Sequence, residues 1–166
     1  MKNITSEYLP KEIKEHLEGR FAERKGDVLS VQIEECMRFL YLASKNGGSK
    51  FMPLTQESDD VWHELILQTV FYAELCDRLP GNKFLHHTSL AFKDYAGEIG
   101  VEKSIGELLS WIPDYVQTFG RFTEESARCW SFCLYLMNEM GLDLESINTA
   151  GESKTGGRSA DSVDNK

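Results

Sequence analysis

Leu29-Ser30-Val31-Gln32-Ile33-Glu34-Glu35-Cys36-Met37-Arg38-Phe39-Leu40-Tyr41-Leu42-Ala43 sets the fold class. Leu29, Ile33, Cys36, Met37, Leu40 and Ala43 recur at i, i+4, i+7 and i+8, one apolar stripe of a helix with 3.6 residues per turn. Asn46-Gly47-Gly48-Ser49 stops it. Upstream, Pro10 stands at a first-turn position, and Ile13, Leu17 and Phe21 continue at helical spacing until Gly26-Asp27. Downstream, Phe51-Met52-Pro53-Leu54 reads as a connector. Thr55 or Ser58 then caps a third helix with Glu57, Asp59 and Asp60 near its positive end. That helix is expected to run to about Leu79 and stop at Pro80-Gly81.

A short helix is expected from Ser89 to Gly97 or Gly100, then two more over Lys103–Trp111 and Pro113–Phe119. Thr123 caps a last one, with Glu124 and Glu125 in its first turn and Gly141 past its end. No segment alternates with period two, so no sheet is expected. The spacing predicts an all-α fold, a compact bundle of about six helices forming one domain over residues 1–147. After Ile147 the chain is mostly Gly, Ser, Asp, Lys and Asn, which predicts a disordered tail over 148–166.

Composition narrows the function classes. A length of 166 residues, 41% hydrophobic and 27% charged, is ordinary for one globular domain. The net charge of −9 argues against nucleic acid and anionic membrane as partners. The richest basic stretch, Lys11 to Lys25, carries nearly as many glutamates and reads as a solvated helix face that includes His16. The N-terminus has no apolar signal-peptide core, and no run reaches a membrane span. Four dispersed cysteines do not make a disulfide scaffold, so a cytoplasmic protein with reduced thiols is expected.

Chemistry-bearing residues concentrate between Asp59 and His87, which hold three of the four histidines. On one helix, Asp59, Trp62, Ile66, Thr69, Tyr72 and Cys76 fall within an arc of roughly 140°, and His63 lies just beyond its edge. Asp59 precedes His63 by four residues, so its carboxylate reaches an imidazole nitrogen. The His86-His87 loop follows ten residues after Cys76. Two readings stay open. In one, His63 and one of the histidine pair lock the loop onto the helix. In the other, His63, His86 and His87 bind a metal, zinc or iron, with Asp59 or Glu64 as orienter or base. Cys76 lies roughly 20 Å along a continuous helix from His63, too far to share an ion, and reads as packing rather than as a nucleophile. Cys129 and Cys133 read as core, as do the aromatics Trp130, Phe132 and Tyr135. Gly47-Gly48-Ser49 matches no phosphate-cradling pattern.

These residues resemble the glycine-rich domain-containing protein-like family, a domain of unknown function. Its pattern is matched by Arg38-Phe39-Leu40, by Asp59 with Trp62-His63, by Thr69 with Tyr72, and by Cys76, Gly81 and His86-His87. Tyr115, Phe119-Gly120 and Trp130 resemble its C-terminal part. The likeness covers roughly residues 29 to 130. Leu65 stands where many members carry a second histidine, and the glycine-rich tail of plant members is absent. The resemblance implies a shared site at Asp59, Trp62, His63, Thr69, Tyr72, Cys76, His86 and His87, and no established reaction. The function expected is that of a small accessory or binding protein whose pocket, between the third helix and the His86-His87 loop, takes a protein, a peptide or a small ligand. The rival is a metal-assisted enzyme using His63, His86 and His87.

Overall fold

The computed structural model describes residues 3–47, 52–87, 97 and 100–153. The helix expected from Ser89 lies, apart from Gly97, outside them, as do Gly48-Ser49 and residues 154–166. The described residues are built from helices, with one isolated antiparallel bridge between Leu54 and Trp130. No helix among them is long and apolar enough to cross a membrane.

The central element is α3 (Gly26–Lys45), which follows α1 (Ile4–Tyr8) and α2 (Lys11–Arg20). Its stripe behaves as the spacing predicts: Leu29, Ile33, Cys36, Met37, Leu40 and Ala43 are all buried. The sequence pattern did not show α1, whose five residues are too few for a periodic stripe. It forms because its free N–H groups are met: Asn3 accepts from Ser6 N, and Glu34 of α3 accepts from Ile4 N (3.0 Å) and Thr5 N (2.9 Å).

The third expected helix is two helices, α4 (Gln56–Leu67) and α5 (Thr69–Arg78), parted at Gln68 by a ψ of 61°. No glycine or proline marks the break. Past this break Tyr72, Leu75 and Cys76 are buried while Leu67 and Val70 stay exposed. Beyond α5, Gly81 N donates to Ser44 Oγ (2.9 Å), and a Cβ at Gly81 would stand 2.1 Å from the Ser44 carbonyl oxygen. Only glycine lets this turn approach α3 so closely.

Next come α6 (Val101–Leu109) and α7 (Trp111–Phe119), divided at Ser110. Pro113 in the first turn of α7 lacks the N–H that would continue the helix through Leu109. The last expected helix is also two: α8 (Glu124–Ala127), with the expected Thr123 cap in a capping box with Ser126, and α9 (Ser131–Asn138). Between them the backbone pairs with the 53–55 connector. Thr55 N donates to Cys129 O (2.9 Å) and Ser131 N to Pro53 O (2.7 Å). Those bonds outcompete one more helical turn.

The boundary expected at Ile147 moves. Helix α10 (Leu144–Glu152) continues past it and packs on α7. Asn148 is buried, and its side chain accepts from Phe122 N (2.7 Å) and donates to Phe122 O (3.0 Å). A Cβ at Gly151 would lie 2.5 Å from Val116 Cγ2, so its absence lets the two helices meet. The residues from 148 to 153 are polar in composition yet ordered, because Asn148 and Gly151 work through a backbone pairing and a close approach rather than through apolar spacing.

A candidate metal centre at Asp59, His63 and His87

Asp59 lies in the first turns of α4 and is buried, at 6% exposure. A buried carboxylate needs partners, and two imidazoles supply them. His87 Nε2 is 3.0 Å from Asp59 Oδ1, and His63 Nδ1 is 3.3 Å from Asp59 Oδ2. His63 Nδ1 also lies 3.0 Å from the Asp59 backbone carbonyl, one helical turn back. That carbonyl can only accept, so Nδ1 is the donor in this contact. One ligand atom from each of Asp59, His63 and His87 lies within 4.8 Å of the other two.

The rest of the sequence-predicted set divides. Trp62 is buried, and its ring packs against His87 with centroids 4.4 Å apart. Tyr72 is buried; it accepts from Trp62 Nε1 (2.9 Å) and donates to the Leu85 carbonyl (2.6 Å). Burial pushes its hydroxyl well above the ordinary tyrosine range, so it stays protonated and donates. Cys76 is a buried core thiol whose burial raises its pKa, which suits packing and not a thiolate nucleophile. Thr69 is exposed at the start of α5, on an open cleft of about 440 Å³ with Ile13, Leu67 and Val70.

His86 is not brought to the cluster. Between Phe84 and His87 the exposures alternate: Phe84 and His86 face out, and their rings lie 4.9 Å apart, while Leu85 is buried and His87 half-buried. Successive side chains of a non-helical stretch project to opposite sides, so one histidine of the pair turns inward. Of the expected trio His63, His86 and His87, two lie together with Asp59, in a group that could hold an ion, and His86 lies outside it.

Glu64, considered as a base, faces elsewhere. It is buried on the other side of α4, with His16 Nε2 at 2.7 Å and Arg20 Nε at 3.3 Å. His16 is therefore tied to α4, not merely solvated. The partners are 48 residues apart, and no local spacing signals them. Cys129 and Cys133 are buried as expected, as are Trp130 and Phe132, but Tyr135 is 54% exposed. A second cleft of about 410 Å³, lined by Val28, Val31, Gln32 and Cys129 among others, lies away from the histidines.

Two ligands held about 2.1 Å from an ion stand roughly 3.0 Å apart at right angles and roughly 3.4 Å apart in a tetrahedron. The 3.0 Å between His87 Nε2 and Asp59 Oδ1 fits a right-angled edge, whereas the 3.3 Å contact of His63 is made by Nδ1, so His63 would offer an ion its Nε2. Two imidazoles and one carboxylate suit zinc, iron, manganese or cobalt. His63 is 46% exposed, so the cluster faces solvent on that side.

A family model described as UCP032817-like matches residues 1–97, which include α1 to α5 and all three members of the cluster. That description is not the glycine-rich domain-containing protein-like family that the motif residues resemble. No curated protein and no solved structure matches the chain.

Proposed function

The chain belongs to the UCP032817-like family, and from that premise we propose that it is a small helical binding protein built around a divalent transition-metal site. Asp59, His63 and His87 hold the ion. Three protein ligands leave positions open, and there an oxygen or nitrogen donor of a small ligand, or of a peptide or protein partner, would attach.

The observation that supports this reading is the convergence of two imidazoles on one buried carboxylate, with ring centroids 4.2 Å apart. A latch between loop and helix needs only His87 on Asp59. His63 is already satisfied by its own helix, so its approach to the same carboxylate adds nothing to a latch and completes a ligand set. The same three-ligand arrangement favours metal-assisted catalysis as a second reading, because water in the open position becomes a nucleophile near neutral pH.

The surroundings support a reducing compartment such as the cytoplasm: all four cysteines are free and buried. The net charge of −9 supports partners other than nucleic acid or membrane.

The test is the metal content of protein purified without an affinity tag. The expected result is one zinc, iron, manganese or cobalt per chain, lost in Asp59→Asn and in His63→Ala. Metal-free protein that takes up none of these ions would reduce the cluster to a latch.

A further inference from the structure

His87 reaches the cluster from outside α4, and the structure shows what brings it there. Asp59 and His63 share one helix, and the His63 ring is set by its own carbonyl at i−4. His87 has no helix to set it. Among the described residues, three contacts besides that with His63 bear on its position. Asp59 Oδ1 meets its Nε2 at 3.0 Å, the Trp62 ring packs on its ring at 4.4 Å, and the Tyr72 hydroxyl binds the carbonyl of Leu85 two residues upstream at 2.6 Å. The last two are one device, since Trp62 Nε1 donates to the same Tyr72 oxygen at 2.9 Å. The break at Gln68 makes it possible. On an unbroken helix residues 62 and 72 would lie about 15 Å apart along the axis.

We infer that Tyr72 is the positioning residue of the site: through the chain Trp62–Tyr72–Leu85 carbonyl it holds His87 on Asp59 and so makes a two-ligand helix face into a three-ligand site. In its metal arm this rests on the reading of Asp59, His63 and His87 as ligands. In its metal-free arm it does not. Tyr72 touches no ion. It acts by sparing His87 the search among loop conformations, which is how hydrogen bonds behind a ligand raise affinity.

The probe is Co(II), and the variant is Tyr72→Phe, which keeps the ring and removes the oxygen. In metal-free protein, the imidazole nitrogen resonances of His87 should shift or broaden while those of His16 stay. With Co(II), affinity should fall about ten- to a hundredfold, with a changed visible spectrum as the site loses a nitrogen ligand. A variant with a lower melting temperature but unchanged His87 resonances and unchanged Co(II) affinity would make Tyr72 merely structural and overturn the inference. If wild-type protein takes no Co(II) but His87 still moves in the variant, the positioning role stands and the metal reading falls. Should Tyr72→Phe not fold, Trp62→Phe removes the indole donor to the Tyr72 oxygen and keeps a ring, of smaller area, against His87. It should show the same changes at smaller size, and their absence would overturn the inference equally.

Discussion

Glu35 shows how one residue can tie distant parts of the chain together. Its carboxylate is 2% exposed and sits among three donors from three places: Arg38 Nη1 at 2.8 Å, Trp130 Nε1 at 2.8 Å and the Tyr115 hydroxyl at 3.1 Å. Arg38 also donates to the Tyr115 oxygen, and its Nε meets Glu34. Burial pushes the Glu35 carboxyl up to about 7, against the pull of Arg38 and of the Trp130 and Tyr115 donors, with Glu34 adding to the rise. In the unfolded chain the value returns to its ordinary 4.5. Between those two values the folded protein holds the proton more tightly, so stability from this group is full below about 4.5 and is lost as the pH rises through about 7. Urea denaturation at pH 5 and pH 8 checks this. The difference between wild type and Glu35→Gln should shift by on the order of 1–3 kcal/mol against wild type at the higher pH. An equal difference at both values would mean that the three donors keep Glu35 ionised throughout.

Among the elements, α10 carries the clearest consequence. Truncation after Ile147 removes Asn148, and with it both partners of the Phe122 backbone, together with Gly151 at the seam with α7. Unpaired buried backbone groups cost about 1–3 kcal/mol each, so thermal melting should fall by several degrees. Truncation after Ser153 is the matched control, and equal melting of the two truncations would deny α10 its role. The composition after Ile147 hid this helix because its hold is two hydrogen bonds and one missing methyl, neither of which leaves an apolar rhythm. The elements with a long stripe were legible: α3 was read nearly to its ends. The breaks at Gln68 and at Arg128 to Trp130 were not, since each is made by a contact with another part of the chain. The site shows the same division. Asp59, Trp62, His63, Tyr72 and His87 could be named from residue type and spacing. Which of His86 and His87 turns inward is set by the buried Leu85 just before them and by the Tyr72 hydroxyl on its carbonyl, which no spacing encodes.

At the scale of the whole molecule, the cluster joins two parts of the chain that α3 and α5 hold together. Asp59 and His87 are 28 residues apart in sequence, and the unfolded chain has no reason to keep them close. An ion bound by both therefore stabilises only the folded state, and its free energy of binding appears as stability of the entire fold. At a free metal concentration a hundred times the dissociation constant the gain is about 2.7 kcal/mol. For a chain of this size that raises the melting temperature by roughly 5–10 °C. Added Zn(II) or Co(II) should raise the melting temperature in a concentration-dependent way, and a chelator should return it to the metal-free value. His87→Ala separates linkage from incidental binding. It removes the contribution from outside α4 and leaves Asp59 and His63 on their helix, so any ion it still takes no longer bridges the two parts. The variant should melt at one temperature with or without metal. If its melting still rises with metal as the wild type's does, the ion sits elsewhere. If neither protein responds, Asp59 and His87 are a latch, and the fold gains from them only the hydrogen bond already seen.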